Sequence, residues 1–460
     1  MKTPRLLLAA ALLCLVWACA ADKGARPAHQ QEHHLPDTLL VGTINGPTSF
    51  FTLRGDTLGY EYERMNDFAS DHHVGVKFVT APNMRELVDM LEDGDIDVAA
   101  VEIPVTAEFK AHVLNCGAMN ETHQVLVQPV SDSVLTNVTQ LVGRDVYVIA
   151  GSRYEARLKN LNSELGGGIV VHTIDNDTVN SDDLVDMVAS GKLPLTVIDS
   201  DLGQLCKTYN DSIDISLKVS FEQRTSWAVN KRDTWLADTI DAWAASDKTK
   251  KFSKEVKRRY FELSRVPVGL DMTSESTHVK PGEISPYDHL FKKYAAQAGV
   301  DWLLLAAICK VESGFHNNVQ SWAGARGIMQ VMPSVGRAYG YTPDELNDPE
   351  KNIDVACQSL VRINEFLKPH VADRGERLRF VLASYNAGIG HISDAIALAK
   401  KYGRNPQLWY GNVEEAALMK SRPEYYNDPV CRHGYFRAKE TVAYVKKVEE
   451  AYRVFRQKSK

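Results

Sequence analysis

No apolar run in the 460-residue chain beyond its first twenty residues reaches the eighteen or so needed to span a bilayer. That excludes an array of membrane-spanning helices. Cysteine is scarce, seven in all, and Cys116, Cys206, Cys309, Cys357 and Cys431 lie far apart with no metal-type or redox-type pairing. Small buried thiols are the expectation, and no metal or cofactor is expected. Repeats and low-complexity blocks are missing, which excludes solenoids and fibrous arrays. Neither sign of charge dominates: the formal net charge is −6, and no nucleic-acid partner is expected. The charge is uneven, however. From Ser285 onward there are 25 Lys/Arg against 19 Asp/Glu, and before it 28 against 40. At 44% apolar and 24% charged residues the chain reads as globular, and its length as two or three domains.

Lys2 and Arg5 precede an apolar stretch, Leu6 to Trp17, of only 12 residues. That is too short for a membrane span and reads as a secretory signal over 1–18. It ends in Val16-Trp17-Ala18-Cys19, which resembles a bacterial lipobox and implies acylation of Cys19. Residues 19–36, polar and interrupted by Pro27 and Pro36, then form a lipidated tether. The expected location is the cell envelope, anchored through lipid to the outer membrane and facing the periplasm.

From Asp37 short apolar runs alternate with helical spacing. Leu39–Gly42, Val76–Val79 and Ile96–Val101 read as strands. Met84, Leu87, Val88 and Leu91 mark a helix between the last two, ended by Gly94. The pattern recurs with Val146–Ala150, a helix at Leu184, Val185 and Val188, and Leu195–Ile198. This predicts α/β lobes with mostly parallel sheets over 37–265. A linker follows over 266–284. Strand signals then stop, and 287–297, 301–313, 352–367, 376–386, 391–402 and 436–456 carry helical spacing. The region 285–456 therefore reads as an all-α domain.

Three motifs in the first region, Gly59-Tyr60-Glu61-Tyr62-Glu63, Leu91-Glu92-Asp93-Gly94-Asp95-Ile96-Asp97 and Gly151-Ser152, resemble those of family-3 periplasmic solute-binding proteins. The resemblance implies two lobes around a cleft, and Gly151-Ser152 would open a helix whose amides face an anion. Amino-acid binders of that family carry a carboxylate-clamping Arg after a Thr-rich turn. Here Val105-Thr106-Ala107-Glu108-Phe109 puts Phe109 in that place. A free amino acid is a poor candidate ligand, and a muropeptide or other small ligand is a better one; a spacer that binds nothing is the alternative.

Asp301 to Gly314 reads as one helix, with Asp301 as N-cap and Gly314 beyond the end. Leu305, Ile308 and Glu312 share its apolar stripe. A carboxylate on a buried face is costly without a partner or a task; a structural Arg would supply the partner, and general acid catalysis the task. Further blocks follow: Ser321, then Gly324 to Pro333, then Ala383-Ser384-Tyr385-Asn386-Ala387-Gly388-Ile389-Gly390, then Glu440-Thr441 with Tyr444-Val445. Together with Glu312 they resemble the blocks of lytic transglycosylases, which have a goose-type lysozyme-like helical fold. The resemblance implies cleavage of peptidoglycan glycan strands with Glu312 as catalytic acid/base. It implies substrate contacts from Ser321, Gln330, Met332, Tyr385, Asn386 and Tyr444, with Tyr385 holding substrate or the Glu312 carboxyl, and a supporting role for Glu440. No acidic residue lies between Glu312 and Asp344, so the adjacent loop offers no second carboxylate of the kind ordinary glycosidases use. That favours lytic cleavage to 1,6-anhydro ends. Two alternatives stand beside it: a lysozyme-type hydrolase on the same fold, and a sensor whose helical domain binds glycan without cleaving it.

Overall fold

The computed structural model describes residues 34–131, 133–175, 179–265 and 282–459. Cys19, the signal segment, residues 19–33 of the tether and most of the 266–284 linker lie outside them.

The first module is two-lobed because its chain crosses twice between two five-stranded sheets. Strands β1 (Thr38–Ile44), β4 (Gly75–Ala81), β5 (Val98–Pro104), β6 (Val113–Thr122) and β12 (Gln223–Asn230) form the first sheet, in the order β4-β1-β5-β12-β6. Strands β7 (Gln124–Pro129), β8 (Asp145–Ile149), β9 (Val170–Ile174), β10 (Thr196–Asp199) and β11 (Ile213–Asp214) form the second, β11-β7-β10-β8-β9. The sheets are mixed and not mostly parallel: β12 runs antiparallel to both β5 and β6, and β7 antiparallel to β10 and β11. The crossovers cause this, since each lobe takes in a strand that enters from the other. Ile96-Asp97 stays outside β5, where the Asp97 carboxylate accepts from Leu40 N at 2.7 Å and its own amide donates to Leu40 O.

Helices α1 (Tyr60–His72), α2 (Met84–Asp93) and α3 (Ala107–His112) cover the first sheet's connections; α4 (Arg153–Glu164), α5 (Ser181–Ala189) and α6 (Ser200–Tyr209) serve the second. Local chemistry starts them. Asn83 accepts from Glu86 N to cap α2, and Asn180 with Asp183 forms a reciprocal capping box on α5. Their buried stripes are Leu87, Val88, Leu91 and Leu184, Val185, Val188. Helices α7 (Thr234–Ala245) and α8 (Asp247–Phe261) follow β12. Phe109 sits in α3 and packs partly buried against the first lobe's core, so an apolar contact replaces a cation there.

The second module is helical: α9 (Asp288–Ala298), α10 (Trp302–Ser313), α11 (Pro333–Ala338), α12 (Pro349–Leu367), α13 (Arg374–Ala387), α14 (Ile389–Lys401), α15 (Glu414–Met419), α16 (Pro423–Tyr426) and α17 (Lys439–Lys458). At its centre lies α10, with every residue from Leu303 to Cys309 and from Val311 to Ser313 buried. A helix apolar all round belongs in a core, and truncating Ile308 to Ala would cost on the order of 2–5 kcal/mol. Among the described cysteines all are free thiols, four of them buried and Cys431 partly so.

Between these modules projects a hairpin of the first lobe, β2 (Phe51–Leu53) and β3 (Asp56–Leu58), joined by Arg54-Gly55. Both turn residues have positive φ, 53° and 89°, as a two-residue primed turn requires. The turn rests on Gly388, where an added Cβ would stand 2.9 Å from Gly55 N and 3.2 Å from Arg54 Cα.

Candidate active site

Asp301 accepts from Leu303 N at 3.0 Å and Gly314 closes α10 in a left-handed conformation, so the helix end that carries Glu312 is fixed at both sides. Glu312 is 4% exposed. Burial pushes its carboxyl above the ordinary carboxylate range, against the opposing pull of Arg54 and of the Tyr444 hydroxyl. The partner is the arginine of the hairpin. Arg54 Nη2 stands 3.0 Å from each Glu312 oxygen, Nη1 donates to Gln330 O at 2.6 Å, and Nε donates to Asn386 O at 3.1 Å. Its backbone amide donates to Ala387 O at 2.8 Å. One guanidinium thus meets the carboxylate and two backbone carbonyls from two of the sequence blocks. A structural Arg does satisfy the buried Glu, but it comes from the other module, 258 residues away.

Arg54 also divides a groove. One side is lined by Glu312, Ser321, Gln330, Met332, Asn386, Glu440 and Tyr444; the other by Gln330, Met332, Tyr339, Ser384, Tyr385 and Gly388. Glu312, Ser321, Gln330, Met332, Tyr385, Asn386, Glu440 and Tyr444, the candidate site residues of the sequence, each line one side or the other.

Their hydrogen bonds differ from expectation in places. The Tyr385 hydroxyl donates to Met329 O at 2.8 Å, so it does not hold Glu312; its ring instead lies 5.9 Å from the Arg54 guanidinium carbon. Gln330 engages its amide nitrogen with Val319 O and Gly327 O, at 3.0 and 2.8 Å, to shape its own loop. Ser321 accepts from Ala325 N at 3.0 Å. Tyr444 is buried, and burial together with the Glu312 charge holds its phenol well above the usual range. Thr441, named only within a motif, donates to Asn386 Oδ1 at 2.6 Å. That fixes the amide with its nitrogen free to donate.

Glu440 accepts from Arg437 Nε at 2.9 Å, and Arg437 continues to Asp182 at 2.8 Å and Asp186 at 3.2 Å on α5 of the second lobe. Lys439 pairs with Asp183 at 2.5 Å. The first lobe is gripped separately. Lys420, wholly buried, donates to Asp394 at 2.6 Å and to His391 Nδ1 at 3.1 Å. Burial, then Lys420, lowers the His391 pKa to about 3, so the ring is neutral and its Nε2–H donates to Thr52 O at 2.7 Å. Each lobe therefore has its own polar connection to the helical domain.

Gly151-Ser152 carries no open anion site. Ser152 caps α4 through Glu155 N, and the Glu155 carboxylate accepts from Gly151 N at 2.7 Å, so the helix start holds its own anion.

Comparison with known proteins decides the class. Residues 289–408 match the model described as Transglycosylase SLT domain, and 39–263 match Bacterial extracellular solute-binding proteins, family 3. Proteins named membrane-bound lytic murein transglycosylase F are similar along nearly the whole chain. The one from Desulfosudis oleivorans is 28% identical over 91% of this chain and 90% of its own. One from Pseudomonas fluorescens is 29% identical over 90% and 84%, and one from Pseudomonas putida 29% over 97% and 90%.

The chain is a peptidoglycan lytic transglycosylase.

Its N-terminal module is solute-binding-like, and its catalytic domain has the helical lysozyme-like fold. In this transglycosylase the two other carboxylates beside the Glu312 half of the groove, Asp186 and Glu440, are both engaged with cations. Glu312 is thus the one of the three whose cation comes from the hairpin.

Proposed function

We propose that Glu312 performs both proton transfers of lytic cleavage, and that the first module holds the enzyme shut with Arg54 until a cell-wall fragment binds it. The single observation that supports this most is the Arg54–Glu312 pair inside the groove. In the reaction, Glu312 gives its proton to the glycosidic oxygen between N-acetylmuramic acid and N-acetylglucosamine as the C1–O bond breaks. The resulting carboxylate takes the proton of the C6 hydroxyl as O6 bonds to C1, closing the 1,6-anhydro ring. No water is consumed and one residue suffices. Asn386, oriented by Thr441, offers an amide donor to the sugar; Ser321 and Gln330 line the same side, Met332 gives an apolar contact, and Tyr385 and Tyr444 pack about the acid. Glu440 supports the domain contact through Arg437.

A guanidinium on the Glu312 carboxyl covers it and favours its ionised form against the effect of burial, so the hairpin opposes both acid catalysis and glycan entry. A ligand that favours a lobe arrangement incompatible with the docked hairpin would shift the enzyme towards activity, by no more than its differential affinity for the two states. The missing carboxylate clamp at Phe109 and the self-capped start of α4 argue for a muropeptide over a free amino acid. Calorimetry with muropeptides and with free amino acids tests this: muropeptides are expected to bind and to raise turnover. Binding of amino acids alone, or turnover indifferent to the ligand, would overturn it.

The same reading puts the mature N-terminus at acylated Cys19 after removal of 1–18, with the tether to 36, the sensor module over 37–265, the linker over 266–284 and the catalytic domain over 285–456. Three acyl chains exceed the two signals that stable anchoring takes. Cys19→Ser is expected to leave an uncleaved or soluble precursor on fractionation. A variant that still sediments with outer membranes, signal removed, would contradict the anchor.

A further inference from the structure

Helix α8 stands out from a chain whose net charge is −6. It carries seven Lys/Arg against Asp247 and Glu255. Its buried residues, Thr249, Val256, Tyr260 and Phe261, face inward. Lys250, Lys251, Lys254, Lys257 and Arg258 are all exposed. At 100° per residue these five fall within an arc of roughly 120°, centred about 140° from the stripe of Thr249, Val256 and Tyr260; one carboxylate, Asp247, shares the arc, and Phe261 turns in at the helix end. Lys248 and Arg259, off that arc, are paired to Asp71 and Glu63; the five on it take part in no ion pair among the described residues. Charges already matched within the protein are segregated from charges left for something else.

We propose that this face of α8 docks on an anionic phospholipid surface. A stripe of four to eight cations on a helix is the arrangement that anionic headgroups attract, without need of a shaped pocket. The helix presents no exposed aromatic for stacking. Position favours lipid over wall polymer. With Cys19 as the attachment point, residues 20–37 span at most about 60 Å, and they lead directly into β1 of the lobe whose last strand precedes α7 and α8. A tether of that length leaves α8 within reach of the membrane. None of these five residues lines the groove.

The test uses the mature chain, produced without residues 1–18 and carrying Cys19→Ser, with and without Lys254→Gln and Lys257→Gln, so that neither signal nor anchor plays a part. Sedimentation is measured with vesicles of phosphatidylglycerol mixed with phosphatidylcholine, with pure phosphatidylcholine, and with purified sacculi, at low and high salt. Each cation near an anionic surface is worth roughly fivefold in partitioning. The double substitution should therefore weaken binding to the anionic vesicles roughly 25-fold, with the difference shrinking in high salt. Turnover of soluble glycan should not change, since both residues are remote from the groove. Equal binding to neutral and anionic vesicles, or anionic binding unaffected by the substitutions, would overturn the proposal. So would a substitution-dependent loss seen with sacculi and not with vesicles, which would assign the face to the wall polymer.

Discussion

Replacing Glu312 with Gln is expected to leave a folded protein that retains glycan and loses nearly all turnover. The substitution preserves volume in the heart of the helical core, where Glu312 is 4% exposed, and removes the transferable proton. A general acid–base group typically contributes about 10²–10⁴-fold, and here one group serves both steps, so the loss should lie at the upper end. Gln also leaves Arg54 without its carboxylate while keeping an acceptor for it, so the hairpin should dock more weakly. Glycan binding by Glu312→Gln is therefore expected to equal or exceed that of the unaltered chain. Asn386→Ala and Tyr444→Phe should be milder, because in the proposed mechanism those side chains position the sugar or the acid and do not move the proton. Turnover on sacculi alongside pull-down with the same sacculi reads both quantities.

Arg54→Ala is expected to act in the opposite sense and raise turnover in the absence of any ligand. The guanidinium closes the groove with bonds to Glu312, Gln330 O and Asn386 O, and Ala removes all of them while leaving the hairpin's backbone bond to Ala387 and the His391–Thr52 contact intact. Coupling between sites commonly amounts to about 5–150-fold, which bounds the expected increase. Arg54→Lys should give less release than Ala, because an ammonium can neutralise Glu312 but cannot bridge all three acceptors. A ligand that activates the unaltered chain should activate Arg54→Ala little further. Unchanged or reduced ligand-free turnover in Arg54→Ala would show that the pair is only structural.

The pH profile carries the same signature. Glu312 must be protonated to act as an acid, so activity is present below its pKa and is lost as pH rises through it. Burial raises that pKa and Arg54 lowers it. Removing Arg54 should therefore move the basic limb of kcat/KM to higher pH, whereas a change in the hairpin that spares the pair should leave the limb in place.

Much of this was legible in the sequence because each signal was local. The Asp301 cap, the apolar stripe through Leu305 and Ile308, and Gly314 lie within fourteen residues and specify α10 and the burial of Glu312 together. The blocks at 321–333, 383–390 and 440–445 are each a short continuous stretch, and each contributes residues to the groove. Arg54 was not legible as a partner, because its contact spans 258 residues and depends on how two modules meet. The turn left a signal that the sequence reading passed over: Phe51-Thr52-Leu53 and Asp56-Thr57-Leu58 flank Arg54-Gly55 as two short strands flank a two-residue hairpin. The self-capping of α4 was also readable, since Glu155 follows Ser152 at the spacing of a capping pair. Strand direction in β7 and β12 was beyond reach, because periodicity reports burial and not orientation, and only the double crossover makes those strands antiparallel.

The most direct test of the central claim is mass spectrometry of the products released from purified sacculi by the unaltered chain, by Arg54→Ala and by Glu312→Gln. The account predicts muropeptides ending in 1,6-anhydro-N-acetylmuramic acid from the first, more of the same from the second, and nearly none from the third. Reducing ends in place of anhydro ends, or anhydro products from Glu312→Gln at the unaltered rate, would contradict it.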